Sequence, residues 1–189
     1  TITAESSAGV TIKATQAGKL EEIKVPLQDI VDLRYDGAAG LAIRIAAGIE
    51  RAGQFERALE SYQKAAGAAA GGGFVTQAIQ FGQARILAKM ALGDAKRIDA
   101  AVRGLDEFRT KHPDSRFHYS LHELLGQLYL EMGDVTAART AFAVLGQAPW
   151  PEFKSRAAIW DGRILMKTGN LAEAQAKFDE VAAAKADSP

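Results

Sequence analysis

The chain has 189 residues, with 23 basic side chains against 23 acidic ones, 48% hydrophobic residues and no cysteine. A formal net charge of zero gives no global field to recruit nucleic acid, and the absence of cysteine excludes disulfides and thiolate metal sites. The most apolar run, Ala65 to Val75, is mostly alanine and glycine and too short to cross a bilayer, so no transmembrane segment is expected. No signal peptide opens the chain, and a trimmed leader would place it in the periplasm or outside the cell rather than in the cytoplasm.

The first stretch has period two. Val10, Ile12 and Ala14 alternate with Thr11, Lys13 and Thr15; after a Gln16-Ala17-Gly18-Lys19 turn, Ile23 and Val25 alternate with Glu22 and Lys24. This predicts a β-hairpin. Pro26 ends its second strand, because proline cannot donate to a ladder. Val31, Leu33 and Tyr35, alternating with Asp32 and Arg34, predict a third strand, and the opening Thr1-Ile2-Thr3-Ala4-Glu5 also reads as strand. So few strands make a thin core, so the sheet must pack on the helices, pair with another chain or be part of a larger β unit. The segment resembles a small Sm- or SH3-like barrel lacking its first strand.

Near Asp36-Gly37 the period changes to that of a helix, which divides the chain into a small β element, 1–37, and a helical domain, 38–189. A glycine followed by a small polar residue then recurs at Gly53-Gln54, Gly93-Asp94, Gly133-Asp134 and Gly169-Asn170, at intervals of 40, 40 and 36 residues. Each pair lies between two helical stretches, so each glycine is expected to end a helix in the left-handed conformation within a helix–turn–helix unit. Ala42, Ile45, Ala46 and Ile49 predict the inner face before Gly53, and Phe55, Ala58, Leu59, Tyr62 and Ala65 the inner face after it. In the third unit Leu121, Leu124, Leu125, Gly126, Leu128 and Tyr129 precede the turn, and Ala138, Phe142 and Leu145 follow it. In the fourth, Ile159, Gly162 and Leu165 are followed by Ala174, Phe178 and Val181. Eight principal helices are predicted.

These residues resemble the tetratricopeptide repeat family over about residues 38–185. Its pattern is a small residue in the first helix, an aromatic one turn later, a glycine–polar turn, an alanine in the second helix and an aromatic four residues on. Leu125-Gly126, Tyr129, Gly133-Asp134, Ala138 and Phe142 match it throughout. Gly162, Gly169-Asn170, Ala174 and Phe178 match most of it, with Leu165 where the first aromatic would stand. Ala46, Gly53, Phe55, Ala58 and Tyr62 match in part. Unit two departs furthest: its register slips by about a helical turn, and Ala101, Leu105 and Phe108 precede Pro113-Asp114-Ser115. The resemblance implies a mainly α protein, a right-handed α-α superhelix of about four helical hairpins whose concave face is built from first helices.

Candidate chemistry is sparse. His118 and His122 are spaced i, i+4 beside Glu123, with His112 upstream, but the order lacks the glutamate directly after the first histidine of a helical zinc protease. We read them as packing and surface residues, with no metal, no cofactor and no catalytic residues; a metal-dependent hydrolase is the weakest alternative. Gly71-Gly72-Gly73 lacks the lysine and Ser/Thr of a phosphate loop and follows a helix, so it reads as an inter-repeat connection. Glu21-Glu22 and Asp106-Glu107 are neighbours that do not face each other, which makes them solvated surface. Pro149-Trp150-Pro151 reads as a rigid connector.

One stripe is more specific. Arg156, Trp160, Arg163 and Lys167 follow i, i+4, i+7 and i+11 on the first helix of unit four, where the family resemblance implies that residues line the groove. Three cations around an indole suit a carboxylate, an acidic peptide or a stacked aromatic ligand; the alternative is that Trp160 packs between units and the cations solvate its edge. Glu123 and Gln127 stand where carboxylate-gripping members of the family place asparagines, which argues against a strict carboxylate clamp. The expected function is a protein-interaction scaffold or assembly module taking a protein or peptide, acidic in character, in the groove. The alternative is a bacterial cell-envelope organising protein that acts through its convex face or through strand addition and self-association at the N-terminal sheet.

Overall fold

A computed structural model of the chain describes residues 1–16, 18–30, 33–69 and 73–186. Three strands open it: β1 (Ile2–Ser6), β2 (Gly9–Gln16) and β3 (Lys19–Pro26), antiparallel in the order β1-β2-β3. The predicted hairpin is there, with Val10 facing Val25, Ile12 facing Ile23 and Gln16 facing Lys19. The predicted third strand is not. Val31 and Asp32 lie outside the described residues, and Leu33 to Tyr35 form no strand. The opening residues take the third place instead, pairing Glu5 with Val10. Alternation alone could not reveal that Tyr35 serves as a tertiary anchor. Its hydroxyl donates to the buried Glu5 carboxylate at 2.7 Å, and burial pushes its own pKa up.

Among the described residues eight α-helices follow, in agreement with the count from sequence. They are α1 (Gly37–Arg51), α2 (Phe55–Ala68), α3 (Gly73–Ala91), α4 (Ile98–Lys111), α5 (His118–Met132), α6 (Val135–Gly146), α7 (Pro151–Lys167) and α8 (Leu171–Ala186). Gly53, Gly133 and Gly169 have φ of 74°, 80° and 85°, so each ends its helix in the left-handed conformation that glycine adopts without strain. Gly93 is not among the positive-φ glycines. There Asp94 caps a short 3-10 turn, Ala95–Arg97, through a bond from the Lys96 amide, and this inserted turn is the physical form of the slipped register in unit two. Of the triglycine, Gly71 and Gly72 lie outside the described residues, while Gly73 opens α3. No helix among the described residues is long and apolar enough to cross a membrane.

The chain forms two compact units, Thr1–His118 and Tyr119–Pro189, so the sheet shares its unit with α1 to α4. In the first unit Ala46, Ala58, Tyr62 and Ile86 form a core cluster flanked by Ile43, Ile49, Phe55, Leu59 and Met90. Ile45, expected on this face, is 53% exposed; Glu50, four residues after Ala46, is buried in its place. The sheet is fastened to the same unit by Arg116, which donates to Glu5 at 2.8 Å, and by Ser7, whose hydroxyl donates to Asp114 at 2.7 Å. In the second unit Leu130, Ala138, Phe142 and Ile164 form the cluster, with Tyr129, Val135 and Trp160 against it.

Glycine and ring meet at one repeated contact. Ala46 and Tyr62, Gly126 and Phe142, and Gly162 and Phe178 are each sixteen residues apart in the sequence. A Cβ added at Gly126 would sit 2.5 Å from the Phe142 ring and one at Gly162 would sit 2.7 Å from Phe178, so a larger residue would force the hairpin open. Tyr62 uses a third glycine, Gly82 of α3, at 2.5 Å from where a Cβ would stand.

Candidate functional site

The helical spacing of Arg156, Trp160, Arg163 and Lys167 puts them along α7, and three of them, Arg156, Trp160 and Lys167, reach Glu123 and Leu130 of α5. The side chains make definite contacts across this pair of first helices. Arg156 forms an ion pair with Glu123, which is itself buried, and its Nε donates to Glu123 Oε1 at 3.3 Å. Trp160 donates its indole N–H to the same oxygen at 2.8 Å. Lys167 donates to the Leu130 carbonyl at 2.8 Å, near the C-terminal end of α5, where the helix dipole favours a cation. Burial lowers the Arg156 pKa from its ordinary value, yet leaves a guanidinium paired with a carboxylate.

Trp160 is closed on both faces. Its ring stacks on Phe142 with centroids 4.7 Å apart and planes 5° from parallel, and the Arg163 guanidinium lies 4.4 Å from the ring centroid. The indole is therefore part of the packing between hairpins, and its planar faces are occupied. Arg163 is different. It is exposed, its cation is held only over the ring, and it has no carboxylate partner among the described residues. Gln127 is half-buried on the same helical face as Glu123. On this face Arg156 is paired with Glu123, whereas neither Arg163 nor Lys167 has a carboxylate partner among the described residues.

The first unit holds a second polar cluster that the sequence reading missed. Glu50 of α1 accepts from Arg85 Nε at 2.8 Å and Arg85 Nη2 at 2.6 Å, and from Lys89 at 2.7 Å, both on α3; the Tyr62 hydroxyl lies 3.4 Å from it. Burial alone would raise the Glu50 pKa, but the hydrogen bonds and charges of Arg85 and Lys89 outweigh it and hold the carboxyl below its ordinary value. Only two hints precede the fold: a glutamate four residues after Ala46 on the inner stripe of α1, and an i, i+4 Arg85–Lys89 pair.

The histidines have structural surroundings. His112 is held by Gln80 at 2.8 Å and Gln77 at 3.3 Å, its pKa lowered by burial and then by Lys111. His122 is buried, and His118 is half-buried with a pKa lowered chiefly by burial. Among the described residues no three His, Asp or Glu side chains gather where they could hold a metal ion. Trp150 is 5% exposed, packed edge-on to Tyr119 and against Phe153, so the Pro149-Trp150-Pro151 connector turns its indole inward.

Comparison with solved structures places the fold. A mutant of MamA, a tetratricopeptide-like protein, is 14% identical with a TM-score of 0.50, covering 78% of this chain and 80% of that one. MamA of AMB-1 is 15% identical with a TM-score of 0.51, covering 86% of this chain and 81% of its own. No family model matches this chain. No curated protein matches it either. At such identities the likeness is one of fold, and the fold it shows is a tetratricopeptide-like array of helical hairpins.

Proposed function

We propose that the chain is a protein-interaction module, and that the α5–α7 face of its second unit takes an acidic segment of a partner protein. In this reading the helical part, 38–189, carries recognition. The observation that supports it is the uneven pairing of the cations on that face: Arg156 is matched by Glu123, while Arg163 has no carboxylate partner among the described residues and Lys167 has only a backbone carbonyl. An incoming carboxylate can therefore approach Arg163 and Lys167 without displacing an existing ion pair, and Gln127, on the same α5 face as Glu123, offers an amide donor. Glu123 repels the same ligand, which limits the site to the Arg163–Lys167 end.

Contacts between exposed charges weaken as salt screens them, so binding should fall steeply with ionic strength. The test compares the wild type with an Arg163→Glu, Lys167→Glu variant. Proteins captured from native extract are identified by mass spectrometry at low and moderate salt, and binding of an acidic octapeptide with a free C-terminal carboxylate is titrated for both chains. The wild type should capture proteins that salt releases and should bind the peptide. The variant should do neither, with helical circular dichroism unchanged. Equal capture and equal peptide affinity for both chains would place binding elsewhere.

A further inference from the structure

The sheet order β1-β2-β3 leaves β3 at an edge, with no strand on its outer side among the described residues. An edge strand presents unpaired amides and carbonyls, and side-chain charge normally discourages another strand from adding to them. The charges on β3 have both signs, and their order matters: Lys19, Glu21, Glu22 and Lys24. Gln16 faces Lys19 and closes the β2–β3 hairpin, so that pair is hydrogen-bonded. Alternation then directs the backbone groups of Glu21, Ile23 and Val25 toward β2 and those of Leu20, Glu22 and Lys24 outward.

We propose that a second copy of this chain adds to the β3 edge, antiparallel and two-fold symmetric, centred on Ile23. In that register Glu22 faces the partner's Lys24, and by symmetry Lys24 faces the partner's Glu22. These are the residues whose amides and carbonyls point outward, so opposite charges and backbone bonds fall on the same pairs. Leu20, 70% exposed and on the same face of the sheet, meets the partner's Pro26. Pro26 lacks an N–H, so that pair makes a single bond and the pairing ends there. The neighbouring registers fail on charge: a centre at Glu21, Glu22 or Lys24 sets each of those residues against its own copy. An isologous contact of this kind closes at two chains. The inference stands apart from the acidic-segment reading and uses none of its residues.

At the two-fold centre, Ile23 faces the partner's Ile23 as a non-hydrogen-bonded pair, whose Cα atoms lie about 4.5 Å apart and whose side chains are close enough for a disulfide. The chain has no native cysteine, so Ile23→Cys is a clean reporter. Under mild oxidation it should give a disulfide-linked dimer, while Glu22→Cys, displaced from the centre, should give far less. Sedimentation equilibrium of the reduced wild type should show a concentration-dependent monomer–dimer equilibrium. Glu22→Lys and Lys24→Glu should each weaken it about tenfold, since each turns two attractive cross-strand pairs into repulsive ones. The double charge swap should restore it. Both positions are exposed, so circular dichroism should be unchanged. A wild type monomeric at all concentrations, equal cross-linking from both cysteine variants, or a double swap as weak as the single ones would each overturn the proposal.

Discussion

Glu50 in the first unit and Glu123 in the second do the same structural work by different means. Each stands on a first helix, α1 or α5, and reaches the first helix of the following hairpin, α3 or α7. Glu50 is met by two cations and a tyrosine hydroxyl; Glu123 is met by one arginine and an indole N–H. A carboxylate that engages both neighbouring cations leaves neither of them free for a ligand. One that engages a single arginine leaves Arg163 and Lys167 available, and this difference separates a stabilising cluster from a candidate binding face.

The largest expected effect tests the buried cluster. The Glu50 side chain is 6% exposed, and its partners Arg85 and Lys89 are 27% and 38% exposed. Removing one member of a buried ion pair strands the other charges, so Glu50→Ala should cost about 3 kcal/mol, the lower end of the usual range because the cations keep some water. Glu123→Ala should cost about 1 kcal/mol, since Arg156 is 43% exposed and can be solvated. Denaturant titration gives the totals, and hydrogen exchange should place the first loss in α1 to α3 and the second in α5 to α7. Equal costs would remove the distinction between the two clusters.

Packing gives the next contrast. Gly82→Ala and Gly126→Ala each put a methyl 2.5 Å from an aromatic ring, Tyr62 and Phe142 respectively. Overpacking of this kind costs about 1–3 kcal/mol. The Gly82 variant should lie at the upper end, because Arg85 Nη2 holds the Tyr62 hydroxyl at 3.1 Å and the ring cannot swing aside without breaking the Glu50 cluster. Combining Gly82→Ala with Glu50→Ala should therefore cost less than the sum, a coupling that a double-mutant cycle measures.

Acid should distinguish the same cluster. The folded-state pKa of Glu50 is lowered, so its contribution is present above the ordinary carboxyl value of 4.5 and is lost as pH falls below it through the folded-state value. Stability measured from pH 6 downward should fall across that window in the wild type, and less steeply in Glu50→Gln, which cannot titrate there.

The repeats were legible because their signals are local. A glycine with φ near 80° after a helix, and a small residue sixteen positions before a ring, can be read without knowing which helices touch. Where unit two substitutes an Asp94-capped 3-10 turn for the left-handed glycine, the slip was visible and its cause was not. The third strand failed for a related reason: period-two alternation at Leu33 and Tyr35 competes with a tertiary bond from Tyr35 to Glu5, thirty residues away, which no pattern encodes. At the site, the α7 stripe was readable from spacing. The partners of its cations were not, because Glu123 and Leu130 come from another helix, and neither was the stacking that closes Trp160.

The smallest expected effect separates binding from stability at Arg163. Its guanidinium lies over the outer face of Trp160 and makes no ion pair among the described residues, so Arg163→Ala removes an exposed cation–π contact of about 0.5 kcal/mol and little else. The inner face of the indole remains stacked on Phe142 and its N–H remains on Glu123, so the ring should stay in place. The fluorescence of Trp160 should nonetheless report the change, because the outer face becomes open to water; Trp150, buried against Tyr119 and Phe153, supplies a constant background. A red-shifted emission with a melting temperature within about 2 °C of the wild type is the expected pair of results for a loss of this size. Loss of several kilocalories would mean that Arg163 belongs to the packing of α7, as Arg85 belongs to that of α3, and the contrast between the two units would disappear at the residue on which the binding face depends.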